Sequence, residues 1–226
     1  MDSSPPPSRL TPLQQDLLTA FFEREQRFFL TGGGALVGFY FGHRSTEDLD
    51  FFSPPGPLLD DVVRTFEAVV TACGASVRTL QSYPDFRRLM VSRGSERCIV
   101  DLVIDHAPMI EPTKAKVGIV RLDTLREIAA NKLATLVGRS EIKDLVDLRQ
   151  LLNAGYSLEQ ALDDAVRKDA GVDPATLAWV LDQITISATA RLPGGVDPSA
   201  LLQFRDALVR TLRTLAFQRT QAKPKS

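Results

Sequence analysis

A chain of 226 residues with 44% hydrophobic content can build one substantial core, or a core domain plus a smaller helical one, and reads as a folded, soluble protein. Its formal net charge of −1 excludes a generally basic surface, so any nucleic-acid contact has to come from a local patch. Two cysteines without metal-type spacing and two histidines exclude a disulfide framework and a zinc site; with no membrane-length apolar run and no secretory layout at the N-terminus, the expected location is the cytoplasm.

The proline- and serine-rich start, within residues 1–10, reads as a disordered leader. Thr11 and Pro12 supply an N-cap and a first-turn proline for a helix in which Leu13, Leu17 and Phe21 keep helical spacing to about Phe22. Residues 28–30 read as a strand. Gly32, Gly33 and Gly34 then stand where that strand turns into a short buried helix beginning at Ala35, and they put no side chain between the backbone N–H groups and a phosphate. Asp48 and Asp50 lie at i and i+2 of the next short strand, with both carboxylates on one side. Two carboxylates on one face need a cation, and oxygen-only ligands favour a hard metal such as Mg²⁺. Just ahead of them, Arg44 is placed to position a substrate phosphate, while His43 reads as a loop residue.

After the break SPPGP, residues 58–73 read as an amphipathic helix with Asp60 and Asp61 in its first turn. Residues 75–80, 86–92 and 97–104 read as three strands that extend the sheet in antiparallel fashion. Inside CIVDLVI an aspartate is out of place unless something satisfies its charge, which makes Asp101 the third candidate metal carboxylate; the plain alternative is a strand-end acid facing water. Residues 111–116 read as a loop and 117–122 as a short strand or extended connection. Asp123 is placed to cap a helix running to about Val137, with Leu125, Ile128, Ala129, Leu133 and Leu136 as its buried stripe. Lys132 and Arg139, seven apart, project from similar azimuths and suit a triphosphate; within KDLVDL, Lys143 and Asp147 have the spacing of an i,i+4 ion pair on a solvated face.

Asn153 and Gly155 end a helix and place a seam between a core, 1–154, and a helical bundle, 155–226. Three more helices are signalled there by Ser157 with Gln160, by Asp173–Pro174 and by Asp197–Pro198. The last helix and tail carry Arg205, Arg210, Arg213, Arg219, Lys223 and Lys225 against Asp206, which fits an RNA-binding edge or an exposed helix face with a disordered tail.

GG-x-AL at Gly32, Gly33, Ala35 and Leu36, HR-S-x-x-DLDFF over residues 43–52, and KL-x-x-L-x-x-R from Lys132 to Arg139 followed by KDLVDL resemble the AbiEii/AbiGii toxin nucleotidyltransferases of the polymerase-β-like superfamily. The resemblance covers roughly residues 29–151. It implies an α+β (mixed α/β) fold, with a small mixed or antiparallel sheet flanked by helices and a helical C-terminal part. It also implies that Gly32 to Gly34 hold nucleotide phosphates and that Asp48 and Asp50 bind one or two Mg²⁺ (or Mn²⁺) ions. Asp101, from a neighbouring strand, would help to activate the attacking hydroxyl. Lys132 and Arg139 would face phosphate, and Lys143, Asp144 and Asp147 would belong to the last motif, the i,i+3 spacing leaving open which aspartate reaches inward. Gly34 departs from the family's usual Ser or Thr, whose hydroxyl helps to hold the terminal phosphates. The implied activity is transfer of NMP from an NTP to a hydroxyl of a tRNA 3′ end or a protein, by a toxin with a cognate antitoxin in a bacterial toxin–antitoxin or phage-defence system. The alternatives are a small-molecule nucleotidyltransferase of the aminoglycoside-modifying kind and a non-catalytic nucleotide-binding descendant.

Overall fold

The computed structural model describes residues 8–222, so most of the expected leader, and Lys223 and Lys225 of the tail, lie outside the described residues. Helix α1 (Pro12–Phe22) starts with a reciprocal cap: the Gln14 N–H donates to Thr11 Oγ1 and the Thr11 N–H to Gln14 Oε1. Gln14 Nε2 also donates to the Thr46 carbonyl at 3.0 Å, tying the helix start to the segment before the aspartates. Strand β1 (Phe29–Thr31) runs straight into α2 (Gly32–Ala35), so the helix begins at the first glycine rather than at Ala35, and a π-helical turn over Leu36–Tyr40 follows. Strand β2 (Asp48–Ser53) buries Leu49, Phe51 and Ser53 and turns Asp48, Asp50 and Phe52 to the opposite face.

Helix α3 (Leu59–Ala72) is followed by the antiparallel strands β3 (Ser76–Tyr83), β4 (Phe86–Arg93) and β5 (Glu96–Ile104). Strand β3 outruns its expected end because Ser82 and Tyr83 keep pairing with Arg87 and Phe86 beyond an irregularity between Thr79 and Gln81. Residues 111–122 differ from the expected loop and single strand. They hold a small hairpin, β6 (Ala115–Val117) and β7 (Val120–Leu122), reversed at Gly118, whose φ of 58° suits glycine. The seven strands form one mixed sheet in the order β3-β4-β5-β2-β1-β7-β6, parallel at β2/β5 and β1/β7 and antiparallel elsewhere.

Helices α1 and α3 cover one face of the sheet. Phe21 of α1 and Phe66 of α3 both meet Phe51 of β2, at ring-centroid distances of 4.6 and 6.3 Å, and all three rings are fully buried. Removing one such ring costs about 3–5 kcal/mol. That packing fixes which face is core, and so leaves the aspartates on the other.

Helices α4 (Leu125–Gly138), α5 (Ile142–Asn153), α6 (Leu158–Lys168), α7 (Pro174–Asp182) and α8 (Pro198–Ala222) make up the rest. Ser157, Asp173 and Asp197 cap α6, α7 and α8. On α4 the buried stripe is Ile128, Ala129, Leu133 and Leu136, with Leu125 half-buried. Arg126 on α4 forks onto the buried Asp164 of α6 at 2.6 and 2.9 Å. The chain divides into two compact units: one ends at Ala107 and resumes over Glu111–Thr124, and the other consists of Pro108–Ile110 and everything from Leu125. The turn at Gly155, where the seam was expected, joins α5 to α6 inside the second unit.

Candidate active site

Period two on β2 puts Asp48 and Asp50 side by side on the half-exposed face of the sheet. Strand register does the rest. Asp50 is the lateral partner of Asp101 on β5 and of Thr31 on β1, and Asp101 is the partner of Arg88 on β4. One row across four strands therefore reads Arg88, Asp101, Asp50, Thr31. Arg88 closes a fork on Asp101, Nε to Oδ1 at 2.8 Å and Nη2 to Oδ2 at 2.6 Å. That bond holds the guanidinium above its ordinary pKa, with the Asp101 charge and those of Asp48 and Asp50 adding to it. At the other end, the buried Thr31 hydroxyl donates to Asp123 Oδ2 at 2.6 Å, and Asp123 Oδ1 takes Lys114 Nζ at 2.7 Å, both of that pair being 1% exposed. Asp123 is thus spent on tertiary partners and not merely on the start of α4.

The glycines sit against this row. A Cβ on Gly32 (φ 60°) would strike Asp50 Oδ2, and one on Gly33 would lie 2.7 Å from Arg44 Nη2 and 3.3 Å from Thr46 Oγ1. Gly32 is therefore backbone laid directly on the Asp50 carboxylate, and the buried Arg44 lies beside the same turn. A Cβ on Gly34 would point into the apolar layer instead, 3.2 Å from both Leu30 Cδ1 and Leu49 Cδ2. Asp48, Asp50 and Asp101 are hard oxygen donors on one face and fit a divalent cation by chemistry. Among the described residues, no three His, Cys, Asp or Glu side chains are already gathered into a cage. Asp105 follows the end of β5 and accepts the Ala107 N–H, a local turn contact.

In the second unit, Lys132 Nζ is 2.6 Å from Asp144 Oδ1 and 2.6 Å from Asp147 Oδ2, and all three side chains are buried. Both aspartates of KDLVDL therefore reach the same ammonium. Arg139 Nε reaches Asp144 Oδ2 at 3.3 Å, and Lys143 reaches Glu141 at 3.2 Å.

The model of the family described as nucleotidyl transferase AbiEii toxin, type IV toxin–antitoxin system, matches residues 16–225. The chain belongs to the AbiEii nucleotidyltransferase toxin family. It is similar in fold to JHP933 from Helicobacter pylori, at 20% identity and TM-score 0.56 over 93% of both chains. A putative nucleotidyltransferase from H. pylori is similar at 19% identity and TM-score 0.59, over 91% of this chain and 94% of that one. MenT4, the nucleotidyltransferase toxin Rv2826c from Mycobacterium tuberculosis H37Rv, is similar at 16% identity and TM-score 0.57, over 88% of this chain and 80% of that one. A comparison with curated proteins finds no match.

This AbiEii protein is a nucleotidyltransferase of a type IV toxin–antitoxin family. Among its described residues, no helix is long and apolar enough to cross a membrane. On α8, Arg205, Arg213 and Arg219 bond to Asp206, Asp182 and Asp163, so much of the basic edge is matched by acids. Sequence reasoning misses Arg88 as a site residue. The signal exists: Arg88 and Asp101 each stand five residues from the Arg93–Glu96 pair that closes the β4–β5 turn. Counting back from that two-residue turn places them opposite each other.

Proposed function

We propose that this AbiEii protein transfers NMP from an NTP to an acceptor hydroxyl, on a tRNA 3′ end or a protein, and that it is a toxin held in check by a cognate antitoxin. The observation that carries the reading is the register of Asp50 with Asp101, with Gly32 laid against Asp50. Phosphates approach the Gly32 to Gly34 backbone, where Arg44 adds positive charge beside Gly33. Asp48, Asp50 and Asp101 would hold Mg²⁺. Bound there, the ion supplies charge neutralisation at the phosphate oxygens. The acceptor oxygen forms a bond to the α-phosphorus, the bond to the pyrophosphate oxygen breaks, and the hydroxyl proton passes to Asp101 or to water. In the structure Arg88 fixes the orientation of the Asp101 carboxylate.

The test is transfer of label from each NTP, carried on the α-phosphate, to total tRNA and total protein in the presence of Mg²⁺. Label on one fraction, lost in Asp48→Ala/Asp50→Ala, establishes the reaction and names the acceptor class. No label from any NTP on either fraction sinks the proposal.

A further inference from the structure

Beside the row of Arg88, Asp101, Asp50 and Thr31, a second row crosses the same face of the sheet. Register sets Tyr83 on β3 opposite Phe86 on β4, and Phe86 opposite Val103 on β5. The Tyr83 and Phe86 rings lie 6.2 Å apart at 31°, and the Arg88 guanidinium carbon lies 5.5 Å from the centre of the Phe86 ring. Arg88 in turn forks onto Asp101. Side-chain contacts thus run unbroken from Asp101 to Tyr83, whose ring is 61% exposed at the edge of the sheet. With Phe86 behind it, that ring is held ready before anything binds.

The same edge is cationic in a chain of net charge −1. Strands β3 and β4 contain four arginines and no Asp or Glu. Arg87 and Arg93 bond to Asp60 of α3 and Asp16 of α1, towards the helix-covered face. The exposed Arg78 pairs with Met90 and the exposed Arg97 with Ser92, which sets both on the face of Arg88. An exposed, braced ring beside cations suits an unpaired nucleic-acid strand, whose bases stack and whose phosphates need positive charge.

Resting on the proposed transfer to an acceptor hydroxyl, we infer that Tyr83 stacks an unpaired base of an RNA acceptor and that Arg78 takes a phosphate of the same strand. Strand order gives the direction. The glycine turn follows β1 on one side of β2, and β5, β4 and β3 lie on the other. In-line displacement puts the attacking and leaving oxygens on opposite sides of the α-phosphorus. A triphosphate tail on the glycine turn therefore leaves the β5 side to the acceptor. From the spacing of strands and residues, Tyr83 lies about 12 Å from Asp101 along the sheet, within the reach of a short single strand.

The test is binding of RNA to the full chain with Mg²⁺ and no NTP, read by fluorescence anisotropy. The probe is a labelled RNA hairpin with a few unpaired 3′ nucleotides, compared with the same hairpin whose overhang is abasic. Wild type should prefer the overhang with bases by about five- to a hundredfold. Tyr83→Ala should lose that preference and Tyr83→Phe, which keeps the ring, should retain it. Arg78→Gln should weaken both probes alike and lower the salt slope by about one. Equal wild-type binding of the two probes, or an undiminished preference in Tyr83→Ala, overturns the inference. So does a loss in Tyr83→Ala of NTP affinity alone, which would give the ring to the nucleotide, or label on the protein fraction with no preference between the probes. If circular dichroism finds Tyr83→Ala unfolded, Tyr83→Leu takes its place, and the wild-type comparison remains decisive by itself. These measurements need no turnover. The expected preferences without labelled product would remove the proposed reaction and leave the role of Tyr83 standing, whereas labelled RNA without them would remove only that role.

Discussion

The Asp50 carboxylate fills the space that a side chain on Gly32 would need, its Oδ2 being the first atom a Cβ there would meet. Gly32 also has a φ of 60°, where a side chain costs about 1–2 kcal/mol. Gly32→Ala should therefore lose both stability and alignment: about 1–2 kcal/mol in a denaturant melt, and at least about a hundredfold in labelled transfer as Asp50 is displaced. Gly74 is the control, with a φ of 65° and no heavy atom within 4 Å of an added Cβ. Gly74→Ala should show the same backbone cost with transfer intact. Equal activity losses in the two variants would refute the close approach of Gly32 to Asp50.

Restoring a hydroxyl at position 34 should not raise activity. The Cβ of a residue there meets Leu30 and Leu49 at 3.2 Å and the Asp48 carbonyl at 3.5 Å, so the side chain enters the apolar layer beneath the turn. Gly34→Ser is expected to destabilise by about 1–3 kcal/mol, as overpacking does, with no gain in nucleotide affinity by calorimetry. A severalfold gain in affinity would mean that the hydroxyl reaches the phosphates after all.

What could be read directly from the chain depended on range. Asp48 and Asp50 share a face because strand period alone puts them there, and Thr11 caps α1 because its partner is three residues away. Asp101 is legible as a misfit in an apolar strand. Its fork to Arg88 needs the hairpin register, and its pairing with Asp50 needs the parallel alignment of β2 with β5, which no local pattern specifies. Asp123 reads locally as a helix cap, yet its carboxylate is bonded to Lys114 and to Thr31, the latter 92 residues away. The same limit governs the last motif, where i,i+4 spacing suggests Lys143 with Asp147 and the packing of α4 on α5 gives Asp147 to Lys132. The hairpin of β6 and β7 hides in a stretch too short to display two separate periods.

Lys132 holds two carboxylates in a place with almost no water, its side chain 8% exposed and those of Asp144 and Asp147 at 0%. Removing one partner of such a buried pair leaves charge uncompensated and costs about 3–5 kcal/mol. Lys132→Met should show that loss in a denaturant melt, and adding Asp144→Asn and Asp147→Asn should recover most of it. A loss below about 1 kcal/mol would place the ammonium in water, away from the two acids.

Cys98 supplies the pH test. It lies on the core face of β5, 1% exposed, and burial pushes its thiol up to about 12 from the ordinary 9.0. The folded chain therefore keeps the proton at a pH where the unfolded chain has released it. Below pH 9 both states hold it and the contribution of the thiol to stability is fully present. As pH climbs from about 9 towards 12 that contribution is lost, at up to about 1.4 kcal/mol per unit. Cys73, half-buried and also shifted upward by burial, is unchanged in the comparison with Cys98→Ala. Between pH 9 and 11 the wild type should lose about 2–3 kcal/mol more than Cys98→Ala in urea melts, and native Cys98 should resist alkylation while Cys73 reacts. Parallel stability curves for the two proteins would mean that the thiol is not held in the dry layer between β5 and the helices.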